Sequence, residues 1–241
     1  MLFRSNRLGF EVDDISDLAQ ELSSQNTMII KTVFSHLVAS ESAEHDAFTQ
    51  HQANLFNNAC TILQQHLPYT ICKHLANSSG IFRHPNLQYD MVRLGIGLYG
   101  VDSANGTALQ LQPVATLKST ISQIRTVKVN DTVGYNRKGK VLRDSKIATV
   151  RIGYADGFNR QLGNGLGSVY LHGTLAPVIG NVCMDMVMVD VTDIASVSEG
   201  DVVEIFGKNL PIQQVAKWCN TIVYEVMTTI SQRVKRVYVE D

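Results

Sequence analysis

The chain has 241 residues, 44% of them hydrophobic, enough for a substantial core and for two domains. Its 21 basic and 22 acidic residues leave a net charge of −1, so charge gives no reason to expect a nucleic-acid or anionic-membrane partner. There is no apolar run of roughly eighteen residues to span a membrane, no secretory h-region in MLFRSNRLGF, and no zinc or disulfide-framework spacing among Cys60, Cys72, Cys183 and Cys219, which predicts a reducing, cytoplasmic setting.

Helical and strand-like segments alternate through the first hundred residues. DDISDLAQELSSQ places Ile15, Leu18, Ala19 and Leu22 on one helical face. TMIIKTVFSHL is rich in β-formers and predicts a buried strand. EHDAFTQHQANLFNNACTILQQHL predicts a long amphipathic helix with Phe48, Leu55, Phe56, Ile62 and Leu63 toward the core. YTICKHLANSSG and YDMVRLGIGLYG predict two further strands. Strand, helix, strand in this order implies parallel βα units, and three strands are too few to close an eight-stranded barrel. After VDSANG the texture changes. ATLKSTISQIRTVK, KIATVRIGYA, SVYLHGTLAPVIGNV, MVMVDVT and DVVEIFG are short strands parted by glycine, asparagine and aspartate, the pattern of a small barrel or sandwich. PIQQVAKWCNTIVYEVMTTIS predicts a helical segment, and VKRVYV a closing strand. The boundary falls near Ser103 to Leu109, giving domains 1–105 and 106–241.

Chemistry-bearing residues gather where strands should end. HLANSSG holds His74, Asn77, Ser78 and Gly80; by itself it is either an ordinary turn or a loop whose Ser78 and backbone N–H groups bind a phosphate. RLGIGLYG adds the Gly95 and Ile96 amides, and two adjacent loops with backbone donors match the phosphate sites of parallel barrels. Arg93 at its head either points at a ligand or makes an ion pair. His36 in SHL is either a group packed on a flat cofactor ring or a hydrogen-bonded structural histidine. Tyr135 in DTVGYNRKGK is a general base only if its pKa falls well below about 10, which Arg137, Lys138 and Lys140 would favour; otherwise it packs. Cys183, Met184 and Asp185 in GNVCMDMVMVD are unusual residues for a turn, though burial could account for the first two.

RLGF, SHL, HLANSSG, MVRLGIGLYG, VGYNRKG, VRIGYADGFNR, GNVCMDMVMVD and TIVYEVMTTISQRVKRVYV occur in the order found in alanine racemases, and the resemblance runs from about Asn6 to the end. It implies a pyridoxal 5'-phosphate enzyme interconverting L- and D-alanine for peptidoglycan, with an α/β fold: the C-terminal part of a TIM-like barrel followed by a small β domain. By the same resemblance, Arg93 contacts the pyridine nitrogen, oriented by His74, and His36 lies near the ring and the catalytic tyrosine. Ser78, Tyr224 and the backbone at Gly95 and Ile96 hold the phosphate. Tyr135 is the catalytic tyrosine on the L-alanine side, and Arg7 and the backbone at Met184 bind the substrate carboxylate. The family works as a head-to-tail homodimer in which Tyr135 and Met184 come from the partner subunit. A serine or broad-specificity racemase on the same fold, or a non-catalytic dimerisation remnant, are the alternatives. One methyl or hydroxyl discriminates weakly between substrates.

Racemisation removes the α-proton on one face and returns a proton on the other, so it needs two bases. The resemblance makes the second a lysine that also holds the cofactor, in an upstream motif close to KANAYGHG. That motif does not occur in these 241 residues, and Lys31 and Lys73 lie in other motifs. The chain therefore resembles the C-terminal two-thirds of a racemase and is expected to be inactive alone. Its opening MLFRS departs from the family pattern. Leu-Phe-Arg-Ser is also what the end of a common sequencing adapter encodes, so the expectation is a reading frame joined to adapter sequence, the alternative being a genuinely divergent, truncated gene.

Overall fold

The computed structural model describes residues 8–102 and 111–240. The chain divides into two compact units, Met1–Gln112 and Pro113–Asp241. The expected boundary at 105/106 and the expected site residue Arg7 lie outside the described residues.

In the first unit, α1 (Ile15–Ser24) buries Ile15 and Ala19, with Leu18 and Leu22 packed beside them, as the 3.6-residue spacing predicts. β1 (Thr32–Phe34) and β2 (Cys72–His74) pair in parallel, Thr32 opposite Cys72 and Phe34 opposite His74, with the long α2 (Asp46–His66) as the crossover. α2 ends where Pro68 disfavours the helical conformation at Leu67. Phe56, Leu63, Leu37, Ile71 and Leu75 join α1 in one apolar core, and Phe56 meets Tyr89 edge to face at 5.5 Å. α3 (Ser78–Arg83) follows β2; the Asn77 side chain caps it by accepting from the Gly80 N–H at 2.9 Å.

Three expectations fail here for local reasons. The strand predicted across TMIIKTVFSHL shrinks to three residues, and Met28 and Ile29 are exposed. The Gln25 side chain accepts from the Thr27 and Met28 N–H groups and donates to the Met28 carbonyl, turning the backbone before the ladder begins. On α2, Phe48 is exposed and Leu55 only partly buried, because the inward stripe runs through Thr49, Gln52, Ala53, Phe56, Ala59, Cys60 and Leu63. Gln52 is drawn inward to donate to the His36 carbonyl at 2.6 Å. YDMVRLGIGLYG is not a strand. Met91 makes one isolated parallel bridge with His74, and the Arg93 N–H reaches the Ala76 carbonyl. The Ser78 hydroxyl then takes the Gly95 and Gly97 N–H groups, and the backbone curls into a 3₁₀ turn over Ile96–Tyr99.

The second unit is a six-stranded antiparallel sheet. Its strands are β3 (Leu117–Val127), β6 (Ser145–Val150), β7 (Ser168–Leu171), β8 (Thr174–Pro177), β9 (Val187–Asp190) and β10 (Val202–Phe206), in the order β8-β7-β10-β3-β6-β9. A bridge between Val178 and Val189, with the Ile179 N–H on the Met188 carbonyl at 2.9 Å, joins the two ends and makes the sheet nearly a closed barrel. Alternation buries Ala148 and Val150, Val169 and Leu171, and Val187 and Val189. On the other face Ile147 and Met188 pack with Val133 and Val141 beneath the hairpin of β4 (Thr132–Val133) and β5 (Gly139–Lys140). The expected helical segment is two short helices, α4 (Ile212–Trp218) and α5 (Val223–Thr228), parted at Asn220 with a left-handed φ of 49°. VKRVYV forms no strand. The Arg236 guanidinium folds back onto the carbonyls of Ile230, Ser231 and Val234, and Val237, Tyr238 and Val239 remain exposed. No helix among the described residues is long and apolar enough to cross a membrane.

Candidate functional site

Arg93, half-buried, has its guanidinium among the backbone carbonyls at the ends of β1 and β2. One terminal nitrogen donates to the Ser35 carbonyl at 2.6 Å and the Leu75 carbonyl at 3.1 Å; the other donates to the His74 carbonyl at 3.1 Å and to His74 Nδ1 at 2.8 Å. His36 Nδ1 lies 3.4 Å from the first nitrogen. The Phe34 ring lies 5.1 Å beneath the guanidinium carbon and stacks on His74 with centroids 4.9 Å apart. A guanidinium can only donate, so His74 Nδ1 must be the acceptor and the ring proton must sit on Nε2. Burial first, and next the charge of Arg93, hold the His74 pKa below its ordinary 6.5. A neutral histidine of fixed tautomer thus orients a cation that stays protonated at any physiological pH.

Beside this cluster, the buried Ser78 Oγ accepts from the Gly95 N–H at 2.9 Å and the Gly97 N–H at 3.3 Å. The intervening Ile96 is the first residue of the 3₁₀ turn, so its N–H has no partner within that turn. A Cβ on Gly95 would come 3.7 Å from Ser78 Oγ, so a side chain there would occupy the space over the hydroxyl. With the Gly95 and Gly97 amides bonded to Ser78 Oγ, the Ser78 O–H and the Ile96 N–H are the donors left to an anion, and no carboxylate is among these contacts. In the first unit the structure therefore brings His36, His74 and Arg93 into one cluster, and Ser78, Gly95 and Ile96 into another.

In the second unit Tyr135 is exposed in the β4–β5 loop, where Asn136 and Arg137 have φ of 58° and 51°. Its carbonyl accepts from Asn181 Nδ2 at 3.1 Å. Gly180 (φ 73°) brings the two loops backbone to backbone: a Cβ there would lie 2.6 Å from the Val133 carbonyl oxygen. Met184, also exposed, follows Asn181 in the same loop, and its carbonyl accepts from the Ala155 N–H at 3.0 Å. Tyr224 stands on α5, about half exposed, and its carbonyl accepts from the Thr228 hydroxyl at 2.8 Å. Tyr135 and Met184 are thereby linked through Asn181 and its loop, whereas Tyr224 stands on a separate element.

The sequence reading missed several residues that hold these groups. Asn77 is named within HLANSSG, but not as the helix cap that also accepts from Ser40 Oγ at 2.8 Å, although an asparagine before a short helix is a legible capping signal. Phe34, Ser35 and Leu75 left no such signal, since two of them act through their carbonyls. Asn181 and Asp156 in the β unit were likewise passed over. Among the described residues no group of three or more His, Cys, Asp or Glu side chains is placed to hold a metal ion.

Residues 3–103 match the family model of the alanine racemase N-terminal domain, and residues 114–238 that of the C-terminal domain. The chain belongs to the alanine racemase family. It is 38% identical over 237 residues to the alanine racemase of Alteromonas mediterranea, covering 96% of this chain and 63% of that relative. With the alanine racemase of Clostridium tetani it shares 37% over 243 residues, 98% of this chain and 62% of the relative. The chain thus spans a little under two thirds of the length of these curated relatives. Its fold matches the alanine racemase of Bartonella henselae, a crystal structure with covalently bound pyridoxal phosphate, with a TM-score of 0.88 at 34% identity, covering 99% of this chain and 66% of that one. Alanine racemase from Clostridium difficile 630 matches with a TM-score of 0.90 at 33% identity, covering 100% and 64%. The fold class is therefore that of the family, an α/β barrel-type unit followed by a β domain.

Proposed function

We propose that this chain is part of a pyridoxal-phosphate-dependent alanine racemase that works in the cytoplasm as a head-to-tail homodimer and supplies D-alanine for peptidoglycan. The observation that carries the reading is the Arg93 cluster, in which a permanently charged donor is oriented by a neutral His74 and by the Ser35, His74 and Leu75 carbonyls. When bound, the cofactor supplies an electron sink that makes the α-proton of an amino acid removable. Arg93 would donate a hydrogen bond to the pyridine nitrogen without surrendering a proton, because its pKa exceeds about 12. Retaining that proton limits how far charge drains into the ring and so disfavours side reactions such as transamination.

Ser78 and the Gly95 and Ile96 amides would take the phosphate, with the Tyr224 hydroxyl as a further donor, and His36 would lie near the ring and the catalytic tyrosine. Tyr135 would remove or return a proton at the substrate Cα on one face, and the lysine of the upstream motif would serve the other. Arg7 and the Met184 N–H would hold the substrate carboxylate, with Tyr135 and Met184 supplied by the partner subunit. The test extends the protein upstream through the lysine motif and measures D-alanine from L-alanine with pyridoxal phosphate. The extended enzyme should turn over, and the 241-residue chain should not exceed free cofactor. No turnover from an extended, folded, cofactor-loaded enzyme would sink the reading.

A further inference from the structure

Arg233 has no role in the reading above, yet it joins the loop that carries Met184 to the loop packed against it. Its Nε donates to Asp156 Oδ1 at 2.7 Å, and its Nη2 to Asp185 Oδ1 at 2.6 Å. The other Asp156 oxygen accepts from the Gly153 N–H at 2.8 Å, and the Asp156 carbonyl accepts from the Ser231 N–H at 3.0 Å. Two backbone bonds cross between the same loops: the Tyr154 N–H to the Cys183 carbonyl and the Ala155 N–H to the Met184 carbonyl, both 3.0 Å. Gly153 lies so close that a Cβ on it would fall 2.3 Å from the Met184 carbonyl oxygen. The Met184 peptide is therefore held from one side by backbone bonds and from its C-terminal side by the Arg233–Asp185 pair.

Charge makes the pair matter for a carboxylate substrate. Asp185 directly follows Met184, and its negative charge would repel a carboxylate approaching the Met184 N–H. Asp156 adds a second negative charge, and Arg233 is the cation bonded to both. We infer that Arg233 is a positioning residue for substrate-carboxylate binding: it fixes the Met184 peptide and draws the neighbouring Asp185 charge away from the anion. The inference rests on the proposed racemase reading. Arg233 touches no reacting atom.

Two measurements test it. In the 241-residue chain, Arg233→Met should speed amide exchange at Tyr154 and Ala155 by about tenfold, as charge-assisted bonds give way, while the β6–β9 ladder stays protected. Arg233→Lys, which reaches one carboxylate at a time, should fall between and guards against misfolding of the Met variant. In the upstream-extended enzyme, Arg233→Met should raise the KM for alanine by roughly tenfold with kcat within about twofold, the pattern of lost binding rather than lost chemistry. Asp185→Asn in that background should recover part of the KM, because it removes the uncompensated charge. Unchanged exchange at Tyr154 and Ala155 in both variants overturns the positioning role. KM and kcat worsening together with no recovery from Asp185→Asn overturns the electrostatic role and leaves a structural one. An extended wild type with no racemase activity overturns the functional reading, and with it the role toward a carboxylate.

Discussion

Two parallel strands of three residues each make up the main ladder of the first unit, while six antiparallel strands close nearly into a barrel in the second. The first gathers its functional groups by convergence. Consecutive strand ends bring the Ser35, His74 and Leu75 carbonyls to one point, and Arg93 enters among them. The second distributes its groups over a hairpin loop, a turn and a helix, and locks the first two together by glycine contacts and the Asn181 amide. Open parallel sheets leave ladder groups to be paired by other strands, whereas a closed sheet satisfies its own. The same contrast appears in exposure: Met28 and Ile29 beside β1 are exposed, while Val187 and Val189 of β9 are fully buried.

The largest test of this division of labour asks whether the two units act across a dimer. Take two inactive variants of the upstream-extended enzyme, one with its cofactor lysine replaced and one carrying Tyr135→Phe. Mixed and refolded at equal amounts, they should form about half heterodimers if pairing is random, and each heterodimer would hold one intact site. About a quarter of wild-type activity should return, since half the dimers have one of two sites working. Activity staying at the level of the single variants, with heterodimers confirmed by mass, would show that tyrosine and lysine serve one site from one chain.

The next effect is on local stability. In the 241-residue chain, amides of β3, β6, β9 and β10 should exchange at least about tenfold more slowly than those of β1, β2 and α2. Equal or greater protection across residues 30–100 would contradict the contrast between open and closed sheets.

The smallest effect is one of pH. His74 and His84, both in the first unit, have pKa values held below their ordinary 6.5, in each case chiefly by burial. The unfolded chain therefore takes up these protons first. The stability they protect is present above pH 6.5 and is lost as pH falls below it toward the depressed folded values. In the second unit the shifted carboxylate is Asp144, held below its ordinary 3.8 by its bonds to Lys128 and the Val129 N–H, so its contribution fades only below pH 3.8. Acidification from pH 7 to 5 should loosen the first unit before the second. The single tryptophan, Trp218 on α4, reports the second unit, and the His74 and His84 proton resonances report the first. Simultaneous loss of both signals near pH 6 would contradict the separation.

Much of this was legible in the order of residues. Apolar spacing located α1, α2 and the β unit, and the change of texture after VDSANG separated α/β from all-β sequence, because periodicity of 3.6 or 2 records which face must be buried. Motif order named the family and nominated Arg93, His74 and Ser78. Other features depended on contacts between distant segments. YDMVRLGIGLYG reads as a strand until Ser78 captures the Gly95 and Gly97 amides, and VKRVYV reads as a strand until Arg236 folds onto the carbonyls behind it. The histidine tautomer is set by Arg93, nineteen residues further along the chain. The hold of Arg233 on Asp156 and Asp185 spans 77 and 48 residues. Local propensity and periodicity are properties of neighbours in sequence. Which carbonyl, amide or carboxylate a side chain meets is decided only when the tertiary fold brings distant backbone within about 3 Å.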